Sequence, residues 1–216
     1  MGVNEHSIKV ENTAHYVSLG ELNKGTKEIW IVCHGYGQLA KFFIRKFKIL
    51  QKESVYIVAP QGFHKFYLKG FSGRVGASWM TKENRDDEIT DHCNFLEQLT
   101  GNLINSASKN CKINVLGFSQ GAATISRWSL KTKHSLNTFV LWAGKIASDF
   151  DFDKYKSKHP NTNNYIVFGI KDQFYAVKTI KEYEIEMKDL DATWISYDGD
   201  HSIHSNTLHI INTLGH

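Results

Sequence analysis

The stretch that most restricts the fold is residues 112–121, KINVLGFSQG, in which an apolar run ends at a serine between two glycines. The run contains Ile113, Val115 and Leu116 and is bounded by turn-forming residues, which is typical of a buried strand. The residues that follow, AATISRWSLK, carry apolar side chains near helical spacing, so a helix begins at or just after Ser119. A strand that passes into a helix with almost no loop strains the backbone at the corner, and side chains two positions to either side would collide. The sequence therefore predicts a sharp strand–turn–helix corner that lifts the Ser119 hydroxyl clear of the sheet.

A serine at such a corner is either a nucleophile or simply a turn residue. The start of the helix behind it offers unpaired N–H groups and the positive end of the helix dipole. A free serine hydroxyl is nevertheless a weak nucleophile, and it needs a base, a group that orients the base, and an oxyanion site. With glycine and serine each at about 7% of average composition, the pattern G-x-S-x-G arises by chance in roughly one such chain in fifteen. The motif alone leaves both interpretations open, and its partners decide between them.

Strand-like and helix-like segments alternate along the rest of the chain. The strands are predicted as a leading antiparallel pair within residues 6–19 and then at 27–34, 55–60, 138–144, 165–170 and 193–197. The helices are predicted at 39–52, 86–107, 176–190 and from about 203. Strands separated by helices favour a mostly parallel central sheet with helices on both faces. A chain of 216 residues without internal repeats is expected to form one α/β domain over residues 1–216.

Polar residues follow several of these strands, at the edge where parallel strands end together. HGYG (34–37) ends the strand at 27–34 and could aim backbone N–H groups at a developing oxyanion. Asp172 follows the strand at 165–170, and His201 lies on the loop after the strand at 193–197. The chain order Ser119, Asp172, His201 is the order in which this type of sheet carries a catalytic triad. The pattern predicts Ser119 as nucleophile, His201 as general base and acid, and Asp172 as the carboxylate that orients the histidine.

Each of these residues also has a structural interpretation. His34 is expected to satisfy backbone groups in the HGYG turn rather than to act in catalysis. Asp172 could instead cap the helix predicted near residue 176. The acidic residues of DGDH could form a metal cluster with His201 and His204, but DGDHSIH lacks the HExxH spacing, so no metal is expected.

Composition and charge disfavour several classes of protein. The formal net charge of +4 is a mild excess that does not indicate binding to nucleic acid. No apolar stretch approaches the length of a membrane span, so stable membrane insertion is not expected. The start of the chain, MGVNEHSIKV, lacks the features of a secretory signal. Three widely spaced cysteines, Cys33, Cys93 and Cys111, argue against a disulfide framework and fit a reducing, cytoplasmic location, with Cys33 expected in the core.

The segments HGYG, GFSQGAA, GIKD and DGDH resemble the motifs of the α/β-hydrolases of the phospholipase/carboxylesterase group, which includes the acyl-protein thioesterases. The resemblance runs from about residue 28 to residue 205. It implies the α/β-hydrolase fold without a large cap domain, and a serine esterase or thioesterase that needs no metal or organic cofactor. It also implies that the backbone N–H groups of Tyr36 and Gln120 form the oxyanion hole, and that Trp79 lies near the acyl pocket.

Residues 61–85 form a stretch of about twenty-five residues without convincing periodicity, and loops of that length in compact domains are usually functional or disordered. Their many aromatic and apolar side chains argue against disorder. We expect Trp79, Phe71 and Met80 to bind substrate on the acyl side of the pocket, although these side chains could instead only close the core. A chain of this size has no room for a large lid, so the pocket should be shallow and favour short to medium acyl chains.

The sequence thus predicts a serine hydrolase that acts on small-molecule carboxylic esters or thioesters. An acyltransferase or a peptidase could use the same triad. A non-catalytic binding protein of the same fold is the alternative from another class, and the presence of all three triad residues argues against it.

Overall fold

The computed structural model describes residues 2–174 and 177–214, and its centre is a seven-stranded sheet. The sheet strands are β1 (Tyr16–Leu19), β2 (Glu28–Cys33), β3 (Val55–Pro60), β6 (Lys112–Phe118), β7 (Thr138–Trp142), β8 (Asn163–Gly169) and β9 (Ala192–Tyr197). A separate antiparallel hairpin is formed by β4 (His64–Tyr67) and β5 (Val75–Ser78). The helices are α1 (Ala40–Phe43), which continues as a 3-10 helix (Ile44–Leu50), α2 (Arg85–Ser106), α3 (Gln120–Lys131), α4 (Phe152–Lys158), α5 (Val177–Glu186) and α6 (Ser205–Leu214).

The order of the sheet is β1-β3-β2-β6-β7-β8-β9. β1 runs antiparallel to β3, and every other neighbouring pair in this sheet is parallel. The register aligns the carboxyl ends of neighbouring strands, since Cys33 pairs with Gly117 and Phe118 pairs with Trp142. The segments that follow β2, β6, β7, β8 and β9 therefore emerge along one edge of the sheet.

Alternation along β2 shows how the two faces of the sheet are buried. Ile29, Ile31 and Cys33 pack on one face with apolar residues of α2, α3, α4 and α5. Trp30 and Val32 pack on the other face with α1, the 3-10 helix and α6. Side chains of successive strand residues point to opposite faces, so a continuous apolar run requires cover on both sides. The predicted mostly parallel sheet with helices on both faces is confirmed, and so is the core position of Cys33, whose thiol pKa is raised by burial.

The beginning of the chain differs from the prediction. The expected antiparallel pair within residues 6–19 is reduced to β1, which pairs with β3 instead. Ile8 and Val10 are 86% and 78% exposed, so the segment before β1 contributes little buried apolar surface. An isolated two-stranded hairpin is marginally stable, whereas the edge of β3 offers β1 a partner that is already buried.

Three other segments also differ in detail. The helix predicted over 39–52 divides into α1 and the 3-10 helix, and the stretch 61–85, predicted as a long loop, contains the hairpin β4–β5. Helix α4 was absent from the sequence prediction. The predicted helix over 176–190 corresponds to α5, and its expected first residue lies outside the described residues.

No described helix is both long enough and apolar enough to cross a membrane.

Candidate active site

Ser119 occupies a strained corner between β6 and α3. Its φ is 54° and its ψ is −116°, a region that residues other than glycine seldom occupy. The corner is held from both sides, because the Ser119 N–H donates to the Trp142 carbonyl at 2.9 Å and the Ser119 carbonyl accepts from the Ala122 N–H at 3.0 Å. Strain that is held in this way is often found at functional positions.

The two flanking glycines are required by close backbone approach. A Cβ atom at Gly117 would collide with the carbonyl oxygen of Gly121, and a Cβ atom at Gly121 would collide with the carbonyl oxygen of Cys33. These neighbours are backbone atoms, so they could not move aside without disturbing the sheet. The collision predicted from the G-x-S-x-G spacing is therefore present at both positions.

Asp172 and His201, which follow β8 and β9, form a hydrogen-bonded pair. His201 Nδ1 lies 2.6 Å from Asp172 Oδ2, and the Asp172 side chain is fully buried. The other carboxylate oxygen accepts the Phe174 N–H at 2.9 Å. The imidazole ring contacts the rings of Phe118 and Phe174, at centroid distances of 4.9 and 4.8 Å. A neutral His201 that donates from Nδ1 to the carboxylate has its Nε2 lone pair available to accept a proton.

A cavity of about 460 Å³ connects the histidine with the serine corner. The residues that line it come from the segments after β2, β6, β7, β8 and β9, and they are Tyr36, Ser119, Ala143, Gly144, Lys145, Phe174 and His201. The structure thus brings Ser119 and His201 to one cavity, with Asp172 directly behind the histidine. No hydrogen bond joins the described side chains of Ser119 and His201. Such bonds between nucleophile and base often tighten only when substrate binds.

The HGYG turn presents a free backbone donor beside this cavity. The Gly35 carbonyl accepts from His34 Nδ1 at 2.8 Å and from the Gln38 N–H at 3.2 Å. Because the Gly35 carbonyl and the Tyr36 N–H belong to one planar trans peptide, fixing the first directs the second the opposite way. The Tyr36 N–H has no acceptor among the described residues. The N–H of Gln120, the first residue of α3, belongs to the group that lacks partners within a helix. Both N–H groups expected at the oxyanion hole are thus available as donors.

His34 has the structural role that the sequence indicated. Its ring is fully buried, and its Nε2 accepts the Gly62 N–H at 3.0 Å, so the proton is assigned to Nδ1. Burial lowers the His34 pKa to about 4, which keeps the ring neutral near pH 7. The neutral ring then holds the Gly35 carbonyl and, through it, the HGYG turn.

The three residues expected to bind substrate do not line the cavity. Trp79 is fully buried, and its indole N–H donates to the His34 carbonyl at 2.8 Å. Phe71 is 99% exposed, and Met80 packs against the core. The prediction for residues 61–85 is corrected accordingly, because strand pairing within this segment turns Trp79 into the core and leaves Phe71 in solvent.

Three of the four residues considered for a metal cluster have other side-chain partners. Asp198 forms an ion pair with Lys171, and His201 is paired with Asp172. His204 Nδ1 lies 2.9 Å from Thr207 Oγ1, and its ring stacks on Tyr197. Within the described ranges, no three histidine, cysteine or acidic side chains are grouped as a metal site.

Sequence reasoning missed two features of the site. The Gln120 side chain connects the serine corner to residues 78–80, because its amide oxygen accepts the Trp79 N–H at 3.1 Å and its amide nitrogen donates to the Met80 carbonyl at 2.9 Å. Lys145 lines the cavity from the loop after β7. The rule that polar groups gather after parallel strands would have identified Lys145 if it had been applied to the strand predicted at 138–144.

Comparison with known proteins identifies a matching family and structures of the same fold. A family model described as phospholipase/carboxylesterase matches residues 18–214. The esterase PE8 is similar in structure with a TM-score of 0.68 and 18% sequence identity, over 94% of this chain and 98% of that one. A phospholipase/carboxylesterase from Dyadobacter fermentans gives a TM-score of 0.68 and 18% identity over 96% and 98% of the two chains. Acyl-protein thioesterase 2 from Zea mays gives 0.61 and 14% over 94% and 98%.

The solved structures are too distant in sequence to indicate more than a common fold. No curated protein matches the chain. The family model, in contrast, covers nearly all of it and includes the serine corner, the HGYG turn and the loops that carry Asp172 and His201. The chain belongs to the phospholipase/carboxylesterase family of α/β-hydrolases.

Proposed function

We propose that this protein is a serine hydrolase that cleaves carboxylic esters or thioesters through an acyl-enzyme on Ser119. The observation that carries the proposal is the convergence of a strained serine and a carboxylate-paired histidine on one cavity. Membership of the phospholipase/carboxylesterase family supports the same reaction class.

His201 acts as general base and then as general acid in the proposed mechanism. Its Nε2 takes the Ser119 proton as the hydroxyl oxygen attacks the acyl carbon, and Asp172 stabilises the imidazolium that forms. The same proton then passes to the leaving alcohol or thiol, which departs as the acyl-enzyme forms. Water, activated by His201 in the same way, releases the acid and restores Ser119.

The backbone N–H groups of Tyr36 and Gln120 stabilise the negative charge on the tetrahedral intermediate. Loss of one such donor costs about 3–4 kcal/mol in comparable sites. In this chain the donors are backbone groups held by His34, Gln38 and the start of α3, so they need no rearrangement during the reaction.

The cavity suits acyl groups of short to medium length. Its volume of about 460 Å³ lies in the lower half of the range for small-molecule sites. Tyr36 and Phe174, which form its aromatic walls, are each 62% exposed, so the cavity is shallow and opens to solvent. We propose that small-molecule esters or thioesters with such acyl groups are the substrates.

Replacing Ser119 by alanine tests the proposal. Ser119→Ala should abolish turnover of 4-nitrophenyl butyrate and of a butyryl thioester, with a loss on the order of a million-fold in kcat, as in another triad enzyme. Ser157→Ala, a change of an exposed serine on α4, is the matched control and should keep wild-type rates. Circular dichroism would confirm that both variants fold. Unchanged hydrolysis by folded Ser119→Ala protein would refute the mechanism, and failure of the wild type to react with a fluorophosphonate probe would favour a non-catalytic protein.

A further inference from the structure

Lys145 is the one side chain with a fixed charge among the described residues that line the catalytic cavity. The other lining residues are aromatic, small, or part of the proposed triad. Water and salt screen the interaction of a charge less when that charge lies beside apolar walls than when it lies on an open surface. An anionic group of a bound substrate would therefore interact with Lys145 more strongly than with a lysine elsewhere on the surface.

The backbone after β7 places Lys145 close to the nucleophile. Ala143 has a φ of 46°, which is unusual for alanine, and its N–H donates to the Val167 carbonyl at 2.7 Å. Gly144 then passes so close to the corner that a Cβ atom there would collide with the Ser119 carbonyl oxygen. Lys145 follows immediately. In sheet order, β7 lies on the side of β6 away from β2, so Lys145 and the HGYG turn approach Ser119 from opposite sides.

The contacts that Lys145 makes within the chain leave it available for a substrate. Its ammonium group lies 3.9 Å from Glu186 Oε2, and both side chains are at least half exposed. A surface pair of that length contributes little stability. The ammonium group also lies 5.6 Å from the centre of the Tyr183 ring, a weak contact at a partly exposed position. A carboxylate bound in the cavity could replace the Glu186 contact at small cost.

Lys145 is not needed to anchor its own loop. The next residue, Ile146, donates its N–H to the hydroxyl of the buried Tyr183 at 2.8 Å. The Ala147 N–H donates to Ser126 Oγ at 3.0 Å. These two hydrogen bonds, one partly and one fully buried, hold the loop against α5 and α3, so the position of the loop does not depend on the charge of Lys145.

We propose that Lys145 is a specificity-determining residue that selects esters or thioesters carrying a carboxylate or another anionic group near the scissile bond. This inference rests on the proposed hydrolase function and adds a substrate class to it. The anionic group could belong to the acyl part, as in a half-ester of a dicarboxylic acid, or to the leaving alcohol or thiol. In either arrangement, an anionic group lies beside the Lys145 ammonium group.

Two pairs of isosteric esters distinguish these arrangements. For the acyl side, the mono-4-nitrophenyl ester of adipic acid is compared with its adipamic acid counterpart, in which a carboxamide replaces the carboxylate. For the leaving-group side, 4-carboxyphenyl hexanoate is compared with 4-carbamoylphenyl hexanoate. In one of the two pairs, the ratio of kcat/KM for the carboxylate to kcat/KM for the carboxamide should fall roughly tenfold in Lys145→Met, the scale of one lost charge-assisted contact. Lys145→Glu should lower the ratio further, and Glu186→Gln should raise it.

Lys181→Met is the matched control, because it removes the same charge from an exposed position on α5 outside the cavity. This variant should keep the wild-type ratio. A ratio that is unchanged in Lys145→Met for both pairs, or that falls equally in Lys181→Met, would overturn the inference about Lys145. If the wild type hydrolyses none of the four esters, or if Ser119→Ala hydrolyses them as fast as the wild type, the proposed function itself fails.

Discussion

At the scale of single residues, the orientation of His201 depends on the buried carboxylate of Asp172 and on two neighbouring aromatic rings. Asp172 is fully buried and uses both carboxylate oxygens, one for the histidine and one for the Phe174 N–H. A buried carboxylate with these partners cannot turn away without leaving an unpaired polar group. Phe118 and Phe174 also contact the imidazole ring, so aromatic packing and a hydrogen bond both contribute to its position.

The difference between His201 and His204 gives a prediction at this scale. His201→Ala should lower kcat/KM by several orders of magnitude, because it removes the one histidine that lines the cavity among the described residues. His204→Ala should have a far smaller effect, since that ring contacts Thr207 and Tyr197 instead. Steady-state kinetics with 4-nitrophenyl butyrate would measure both variants. An inactive His204→Ala alongside an active His201→Ala would show that the assignment is reversed.

At the scale of structural elements, the hairpin β4–β5 and the segment after it hold the site in position through hydrogen bonds. Trp79 follows β5, and its backbone N–H is held by the Gln120 side chain while its indole N–H holds the His34 carbonyl. The Gly37 N–H donates to the Ala77 carbonyl at 2.8 Å. These contacts join the serine corner, the HGYG turn and the hairpin into one unit, although the three lie far apart in the sequence.

Trp79→Ala is therefore expected to act on stability rather than on substrate choice. Loss of a fully buried tryptophan typically costs about 3–5 kcal/mol of unfolding free energy. Urea denaturation would measure that loss, and hydrolysis of 4-nitrophenyl esters from two to twelve carbons would show an unchanged order of preference. The control from the same segment is Phe71→Ala, which should leave the unfolding free energy nearly unaltered because the side chain is 99% exposed. A shift in preferred chain length with little loss of stability would instead show that Trp79 lines the acyl pocket.

At the scale of the whole molecule, the sheet determines both the position of the site and the response of the fold to acid. Six parallel strands end at one edge and deliver their following segments there, and several histidines are buried. Burial lowers the pKa of His34 to about 4. The pKa of His92 is lowered to about 3 by burial and by the nearby charges of Arg127 and Lys131. Both rings are therefore neutral in the folded protein under conditions where unfolded histidines bind protons.

The protein should lose stability as the pH falls from about 6.5 towards 4. Above pH 6.5 both rings are neutral in either state and contribute no pH dependence. Below it the unfolded chain binds more protons than the folded one, so the unfolding free energy falls by about 1.4 kcal/mol per pH unit for each such histidine. The pKa values of Asp149 and Glu97 are lowered by hydrogen bonds and nearby charges, against the effect of burial, and their stabilisation is lost only at lower pH.

Urea titrations at pH 7, 6 and 5 would measure this slope. His92→Phe keeps an aromatic ring in the buried site without a titrating group, so its slope should be shallower than that of the wild type. An identical slope in the two proteins would show that His92 does not contribute to acid sensitivity.

The sequence by itself determined the serine corner, the order of the triad candidates and the type of sheet. Gly117 and Gly121 are needed because backbone atoms approach them, a local constraint that the spacing of residues 117–121 already contains. Apolar runs separated by helical patterns implied a parallel sheet covered on both faces, and parallel strands necessarily end at a common edge. The expectations of one domain over residues 1–216 and of a cytoplasmic location stay predictions.

Only the tertiary structure decided which side chains face the cavity. The aromatic character of residues 61–85 predicted burial or binding but could not distinguish between them, and strand pairing sent Trp79 to the core and Phe71 to solvent. The Gln120 contacts to residues 78–80 and the approach of Lys145 to the cavity depend on segments brought together by the sheet. Local patterns report whether a residue prefers to be buried, whereas the surface that buries it is set by contacts between residues far apart in the chain.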